Sequence, residues 1–535
     1  MKRSLKKIAL IVSFGTLLSK VGGMTRQLVI AGAFGVGAAY DAYNYAYVIP
    51  GFFLILIGGI NGPLHNAMVT VLSRRNKLEN AYIISSINTS ISLFLIVVSA
   101  ILFFIPDEII RIVGPGLSIE VHDIAAKQLQ IMSPIAFLSG LIGIGFGSLN
   151  ANSQFFIPSI SPIISSLSLI IAAGAFWIYQ NPTNSPSEIN LKGGIILAQA
   201  TLIGAFLQLI IQIPALVKKG LFKFKLIWDW THPGVKEVWG IATPAILSSG
   251  MLQVNVITDL FFASSILGAA AGLGYANFLI QAPLGLFSNA ILIPLLPTFA
   301  KLAKENDKHL LITKIKQGLI LCSASMILLG SIFVVLGTSI IDLIYGRGAF
   351  DSEAISLVGG LLVAYGFGMP AYLCRDLLVR VFYSLGDGST PFRLSSIGII
   401  LNVILDWALI GGPSPWGNQL GINFGAKGLV LATVGVNIFT CIGLLFKLNK
   451  SIQGIPLKEW LNEVFKLIIC GLISGFTALL SSYIYLMPIG FFSGIIRLIF
   501  ISMVSILTFV LMANYFKIKD INYIFKNFLE RINLL

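Results

Sequence analysis

Charge is what this sequence has least of. Asp, Glu, Lys and Arg make up 11% of its 535 residues, against roughly 25% in an ordinary soluble domain. A soluble fold of this length has far more water-facing surface to cover, so the shortage excludes that class. Cysteine is scarce as well. Cys322, Cys374, Cys441 and Cys470 stand far apart in apolar runs, which excludes a disulfide framework and a zinc site as organising devices. No nucleotide-binding loop is present, which argues against ATP hydrolysis by this chain. The serines are scattered with no His–Asp set beside them. No hydrolytic or redox site is discernible, no cofactor or metal is implied, and the chain reads as a non-enzyme.

Apolar residues fill the space instead. They form 56% of the sequence, and the mean hydropathy is +0.90. A helix needs about 20 mainly apolar residues to cross a bilayer. Runs of that size fall at 8–34, 41–72, 80–105, 127–149, 159–179, 191–216, 237–262, 269–299, 315–341, 354–380, 394–411, 427–448, 462–485 and 493–516. The sequence therefore predicts an all-α polytopic membrane protein with about fourteen spanning helices. Segment 106–126 is long enough for a short interfacial helix. Stretches 181–190 and 411–421 are rich in Pro, Gly, Asn and Ser, as turns are.

The net charge of +14 does not point to nucleic acid, because the basic residues sit in short clusters between apolar runs. Lys2, Arg3, Lys6 and Lys7 precede the first run, and Arg74, Arg75 and Lys77 follow the second. Lys218, Lys219, Lys223 and Lys225 follow the sixth, and Lys301, Lys304, Lys308, Lys314 and Lys316 the eighth. Lys447, Lys450 and Lys458 follow the twelfth, and Lys517, Lys519, Lys526 and Arg531 the last. All of these share one side of a fourteen-span arrangement. Only isolated charges, Arg111, Lys192, Arg347 and Lys427, fall on the other. The enrichment of Lys and Arg in cytoplasmic loops then puts both termini in the cytoplasm. The N-terminal stretch looks like a signal peptide, yet no Ala-x-Ala-like site follows and the apolar pattern continues to Phe34, which predicts a retained first helix.

Proline recurs inside the runs, at Pro50, Pro63, Pro134, Pro162, Pro244, Pro283 and Pro370 among others, and glycine clusters at 57–63 and 140–147. Any one of these is open to a plain packing role, since small residues let spanning helices approach. Over the whole length, kinked helices suit a transporter that changes shape. A channel would need a repeated filter or a pore ring, and none is apparent.

Ionisable groups at membrane depth are costly and point to function by default. Lys20 and Arg26 lie in the first run with Gly22 and Gly23 between them, and Asp41 opens the second. Six residues turn a regular helix by about 600°, so the two cations share no face unless the Gly–Gly pair bends the chain. Brought to one cavity they would suit an anionic substrate, a phosphate or diphosphate above all, with Asp41 pairing with Arg26. The alternative is local pairing or snorkelling. Arg375 and Asp376 are adjacent, cannot share a face, and so need partners elsewhere unless one reaches the cavity. Asp259 and Asp406 read either as groups near a helix end or as functional acids, and His65 as a packing residue or a proton group. Gln253, Asn255, Asn277 and Gln281 either line a cavity or bond across helices. Arg347 reads as a solvated loop arginine.

Five stretches carry a family likeness: "SKVGGMTRQLVIAGAFGVGAAYDAY" (19–43), "LNANSQFFIPSISPII" (149–164), "YANFLIQAPLGLFSNAILIPLLPTFAK" (275–301), "YGRGAFD" (345–351) and "VRVFYSLGDGSTPFR" (379–393). With this spacing the chain resembles, along nearly its whole length, the MurJ/MviN family of lipid II flippases, within the multidrug/oligosaccharidyl-lipid/polysaccharide exporter superfamily. The resemblance implies two six-helix lobes, residues 1–225 and 226–450, with two further helices and a basic tail in 451–535. It implies a central cationic cavity open alternately to the two sides. The expected activity is movement of undecaprenyl-diphosphate-linked disaccharide-pentapeptide (lipid II) from the inner to the outer leaflet of the bacterial plasma membrane, for peptidoglycan assembly. Membrane potential or an ion gradient would drive it. The implied partners are a lipid-linked anionic substrate, membrane lipids and cell-wall synthesis proteins, and no nucleic acid.

The family's first-helix basic pair falls on Lys20 and Arg26, with Lys in place of an arginine, and its second-helix aspartate on Asp41. Elsewhere the chain departs from the pattern. An arginine pair expected after "P-N-L" in the second helix reads Leu54 and Ile55, within "PGFFLILIGG". An "A-D-R" in the eighth helix reads Ala276, Asn277 and Phe278, and a further acid reads Gln281. Three cations are thus missing from the implied site, and Arg375 and Arg380 are the candidates to resupply charge. The candidate substrate-binding set is Arg26, Lys20, Asp41, Arg375, Asn277 and Gln281. The alternatives are a flippase for another polyprenyl-linked glycan, a cation-coupled drug exporter, and an inactive scaffold for wall synthesis.

Overall fold

A computed structural model of the chain describes residues 5–60, 62–179, 185–221, 226–305, 307–412, 422–452, 454–484 and 491–518. Every regular element among them is helical. Hydrocarbon supplies no water to backbone amides and carbonyls, so a helix, which satisfies them internally, is the form an apolar run can take there. Twelve helices among the described residues are long and apolar enough to cross a membrane. Lys2, Arg3, Lys223, Lys225, Lys519, Lys526 and Arg531, with 181–184 and 413–421 of the two turn stretches, lie outside the described residues, while 186–190 already belong to a helix.

The order begins α1 (Leu5–Phe34), α2 (Ala38–Leu56), α3 (Pro63–Leu72), α4 (Lys77–Phe104), α5 (Pro106–Val113), α6 (Ile119–Met132) and α7 (Pro134–Ala151). It continues with α8 (Phe156–Tyr179), α9 (Pro186–Ile210), α10 (Ile213–Lys218), α11 (Pro233–Ala263), α12 (Ala269–Phe287) and α13 (Ile293–Glu305). The last six are α14 (Lys308–Tyr345), α15 (Ser352–Ser384), α16 (Ser389–Leu409), α17 (Ala426–Ile452), α18 (Leu457–Ile484) and α19 (Phe491–Tyr515). Neither α1 nor α2 is among the twelve. The first half of α2 is polar, with Asp41, Asn44 and tyrosines at 40, 43, 45 and 47.

Three expectations change here. The run 41–72 is not one helix: α2 stops at Leu56 and α3 starts at Pro63. The intervening glycines admit a second backbone. A Cβ on Gly58 would lie 2.9 Å from the Ser139 carbonyl oxygen of α7, and one on Gly143 would collide with the Ile57 carbonyl. Next, 106–126 holds one complete short helix, α5, and the start of a second, α6, which meets α7 at Pro134. Finally, the eighth run is interrupted by a π turn at Ser288–Leu292 between α12 and α13, with Pro283, Pro294 and Pro297 around it, a usual cause of such irregularity.

The chain divides into two compact units: Met1–Ala271 with Arg347–Asp351, and Gly272–Gly346 with Ser352–Leu535. Helix α11 goes with the first unit because Val235, Val238 and Ala242 are buried in one apolar cluster with Leu64, Met68 and Val71 of α3, Ile83 and Ile87 of α4, and Ile144 of α7. Outside the apolar layer the same helices are tied by charge. Arg75 pairs with Glu79 at 2.8 Å and with Glu237 at 2.7 Å. Asp229 organises the turn before α11. It accepts from the Thr231 hydroxyl at 2.6 Å, the Tyr82 hydroxyl at 2.8 Å and the Thr231 amide at 2.8 Å, and these bonds hold its carboxyl well below the usual range.

In the second unit α14 and α15 cross at a glycine pair. A Cβ on Gly366 would lie 2.9 Å from the Gly330 carbonyl oxygen, and one on Gly330 would collide with the Gly366 carbonyl. Helices α18 and α19 are joined through the Ser474 hydroxyl, 2.8 Å from the Ser505 carbonyl oxygen, and α14 to α18 through Lys316 and Glu463 at 2.6 Å. Before α16, Asp387 accepts from the amides of Ser389 and Thr390, each at 3.0 Å, and from the Thr390 hydroxyl at 2.6 Å. Hydrogen bonds from Thr390, then from Ser389, hold its carboxyl at about 2.

Two outcomes follow from this packing. Gly330→Leu should break the α14–α15 crossing and cut the yield of monodisperse protein in fluorescence-detected size exclusion, whereas Gly240→Leu, within α11 and with open space around its Cβ position, should not collapse the yield. Asp387 has a depressed folded value, so its cap is complete above the unfolded carboxylate value of about 3.9 and is lost as pH falls through about 2. Asp387→Ala should therefore speed amide exchange at Ser389 and Thr390 at neutral pH, and that difference should vanish in acid.

Candidate functional site

The first unit carries the best-defined polar constellation, on α1 and α2. Helix α1 runs unbroken through Gly22 and Gly23. The bend that would have brought Lys20 and Arg26 to one face is absent as a helix break. Gly22 instead makes room for α8: a Cβ there would sit 2.8 Å from Ile163. Lys20 is exposed, Arg26 is half-buried, and the Nε of Arg26 is fully enclosed with no hydrogen-bond partner among the described residues. An enclosed guanidinium Nε without an acceptor is unusual, because the cost of burying part of the charge is normally offset by bonds to it.

Asp41 does not supply that partner. Its carboxylate is buried, 2% exposed, and its Oδ1 accepts from the Ala271 amide at 2.9 Å. The amides of Gly268 and Ala270 bond to it as well. It therefore caps the first turn of α12, where free amides and the positive end of the helix dipole favour an anion. The expected Arg26–Asp41 pair is replaced by this arrangement. The same end of the unit is tied by further backbone-level contacts. Ala349 donates its amide to the Gly32 carbonyl at 2.8 Å, and the Gly116 amide bonds to the Ser264 hydroxyl at 2.9 Å. Gly348 has a φ of +64° and lies so close to the Gly32 carbonyl that a side chain would collide. Arg347 is exposed beside this contact.

Sequence reasoning passed over a stripe on α2. Tyr40, Tyr43 and Tyr47 recur at helical spacing, and their rings stack in series. The centroids are 5.9 Å apart for Tyr40–Tyr43 and 5.5 Å for Tyr43–Tyr47, with planes 14° and 7° from parallel. Two members are tied: Gln27 of α1 donates to the Tyr40 hydroxyl at 2.9 Å, and the Tyr43 hydroxyl meets Thr201 of α9 at 3.0 Å. All three hydroxyls are within electrostatic reach of Arg26. The i, i+3, i+7 spacing was the signal that could have found them.

His65 is buried, taking a bond from the Asn150 amide at Nε2, 2.8 Å, with Nδ1 3.2 Å from Asn66 Oδ1. It is a satisfied packing residue between α3 and α7.

In the second unit Arg375 is not left to find distant partners. Its guanidinium bonds Asn437 of α17 at 2.7 Å and reaches its neighbour Asp376 at 3.0 Å. A long side chain can fold back along its own helix, which the argument from backbone faces missed. Asn277 and Gln281 lie exposed on one face of α12, amide to amide at 3.3 Å. Asp406 is fully buried with Asn402 at 2.7 Å. Asp259 of α11, in the first unit, is half-buried. Cys374 lies 3.3 Å from the Ser323 hydroxyl, and all four cysteines are free. Among the described residues no group of three or more His, Cys, Asp or Glu could hold a metal ion.

Comparison with known proteins bears on the chain as a whole. The sequence model described as "Lipid II flippase MurJ" matches residues 30–497. A probable lipid II flippase MurJ of Synechocystis sp. is 47% identical over 467 residues, 87% of this chain and 85% of that protein. A solved structure of lipid II flippase MurJ in an inward closed conformation superposes with a TM-score of 0.73 at 26% identity, covering 95% of this chain and 99% of the other. An inward-facing multidrug resistance MATE transporter shares the fold at a TM-score of 0.61 and 13% identity, over 84% of this chain and 98% of the other. On the extent of the sequence match and the near relative, this chain belongs to the lipid II flippase MurJ family.

Proposed function

We propose that this chain is a flippase that carries the lipid-linked peptidoglycan precursor, lipid II, across the plasma membrane, and that Arg26 is its principal contact with the diphosphate. The reading of the activity rests on the family match. The reading of the site rests on one observation above the others: a half-buried guanidinium on α1 whose Nε has no acceptor among the described residues. A diphosphate would provide acceptors for it in the geometry guanidinium favours. Lys20, exposed on the same helix, serves as an outlying cation rather than a second arm of one clamp.

In this reading α1 and α2 complete a set of fourteen spans with the twelve apolar helices, both termini lie in the cytoplasm, and the spans form two six-helix lobes and a C-terminal pair. Asp41 then sits at the outer end, where its bonds fix the first turn of α12. Arg375, drawn onto Asn437 and Asp376, has its charge already engaged, so it and the amides Asn277 and Gln281 play a secondary part in binding. Transport by alternating access takes its drive from the membrane potential or an ion gradient. One charge moved through 100 mV is worth about 2.3 kcal/mol, enough to bias such a cycle. Cell-wall synthesis proteins are the partners to which the delivered precursor would pass.

Complementation tests the assignment. A bacterium depleted of its own lipid II flippase should regain outer-leaflet lipid II when it expresses this chain. Arg26→Ala should lower that exposure by about ten-fold or more, the usual scale for a bond to a charged group, with normal membrane insertion. Lys20→Ala should have a smaller effect. Full exposure with Arg26→Ala and Lys20→Ala combined would sink the site. Restoration of another polyprenyl-linked glycan instead of lipid II would replace the substrate. For Asp41, Ala should speed amide exchange at Ala270 and Ala271 and reduce flipping, while Asn, whose amide oxygen still accepts, should fall between. Unchanged exchange in Asp41→Ala would remove the capping role.

A further inference from the structure

The tyrosine stripe offers a donor that the missing arginines no longer supply. Tyr40 and Tyr43 have their hydroxyls committed, to Gln27 and Thr201. Tyr47 ends the stack, is half-buried, and its hydroxyl has no hydrogen-bond partner among the described residues. Stacking against Tyr43 at 5.5 Å fixes the plane of its ring, which leaves the hydroxyl little freedom beyond rotation of its proton. The ring also has its place reserved one turn along the helix. A Cβ on Gly51 would approach it to 2.7 Å, so the position read as glycine in "PGFF" is one where a side chain would displace the ring. A phenol held at one end by stacking, with its other end uncommitted and in the field of Arg26, is a preorganised donor for an anion.

We infer that Tyr47 is a substrate-contacting residue whose hydroxyl donates to a phosphate oxygen of the diphosphate engaged by Arg26, the Tyr40–Tyr43 stack serving to position it. This rests on the flippase reading of the same site. It also answers where the polarity of α2 went: with Leu54 and Ile55 apolar further along the helix, the donor facing the substrate is a neutral phenol rather than a cation.

The test uses the full-length protein in nanodiscs with three lipid probes: undecaprenyl diphosphate, undecaprenyl monophosphate and lipid II. Wild-type protein should bind both diphosphates, and Tyr47→Phe, which keeps the ring and the stack, should weaken both by about ten-fold. The monophosphate should lose less. Tyr47→Phe binding both diphosphates like wild type, while Arg26→Ala loses them, would overturn the role of Tyr47 and leave the flippase reading standing. Weakening confined to lipid II would move the hydroxyl from phosphate to sugar and overturn the assignment. Failure of wild-type protein to bind any of the three would bring down the flippase reading and this inference with it. Tyr483→Phe, an exposed tyrosine in the second unit, controls for loss of a phenol as such and should bind like wild type.

Discussion

Low dielectric without water is the constraint on which this structure depends. In hydrocarbon every amide and carbonyl must be satisfied within the protein, so the chain is helix throughout its described elements, and specificity has to come from how closely the helices approach. Backbone meets backbone at Gly58 and Gly143 in the first unit and at Gly330 and Gly366 in the second. At each, one methyl group would force the helices apart. Lipid tails are as apolar as the side chains they replace, so association rests on packing of this kind and on a few polar contacts. Ser474 with Ser505 and Lys316 with Glu463 are examples.

The same constraint separates the buried polar groups into two kinds. Asp41 is enclosed and bonded by the amides at the start of α12, and His65 is bonded through both ring nitrogens. Arg375 has two side-chain oxygens for its guanidinium. These are settled, and their bonds explain their places. Arg26 is of the other kind. Its side chain is half-buried, where charge is costly, and the described residues give its Nε nothing to bond. A protein tolerates such a group where something outside the chain completes it, which is why the functional reading rests there and not on the more numerous satisfied charges.

Much of the fold was legible in sequence because length and hydropathy alone identify spanning helices. The runs at 80–105 and 315–341 return as α4 and α14, each longer than predicted since a helix continues into the interface after its apolar run ends. What hydropathy could not see was interruption. The run 41–72 stays apolar across Ile57–Gly62, and only the close approach of α7 makes a break there useful. The site was legible in part. Arg26 stood out as a charge at depth, whereas the bond of Asp41 to backbone amides has no sequence signature, because every residue carries an amide. Arg375 and Asn437 are distant in sequence and meet only once α15 packs on α17.

The three positions at which the family resemblance implies cations gain a physical reading beside this geometry. Arginines clustered in a cavity raise affinity for a diphosphate but repel one another when it is gone, and each must be desolvated again in every cycle. A tyrosine donor carries no charge to desolvate. Its bond to a phosphate oxygen is weaker than that of a guanidinium, yet its ring is held in place before substrate arrives, so less freedom is lost on binding. A site built from one guanidinium and a stacked phenol would then bind the head group less tightly and release it more readily, a sound compromise for a carrier, whose rate depends on letting go as much as on holding.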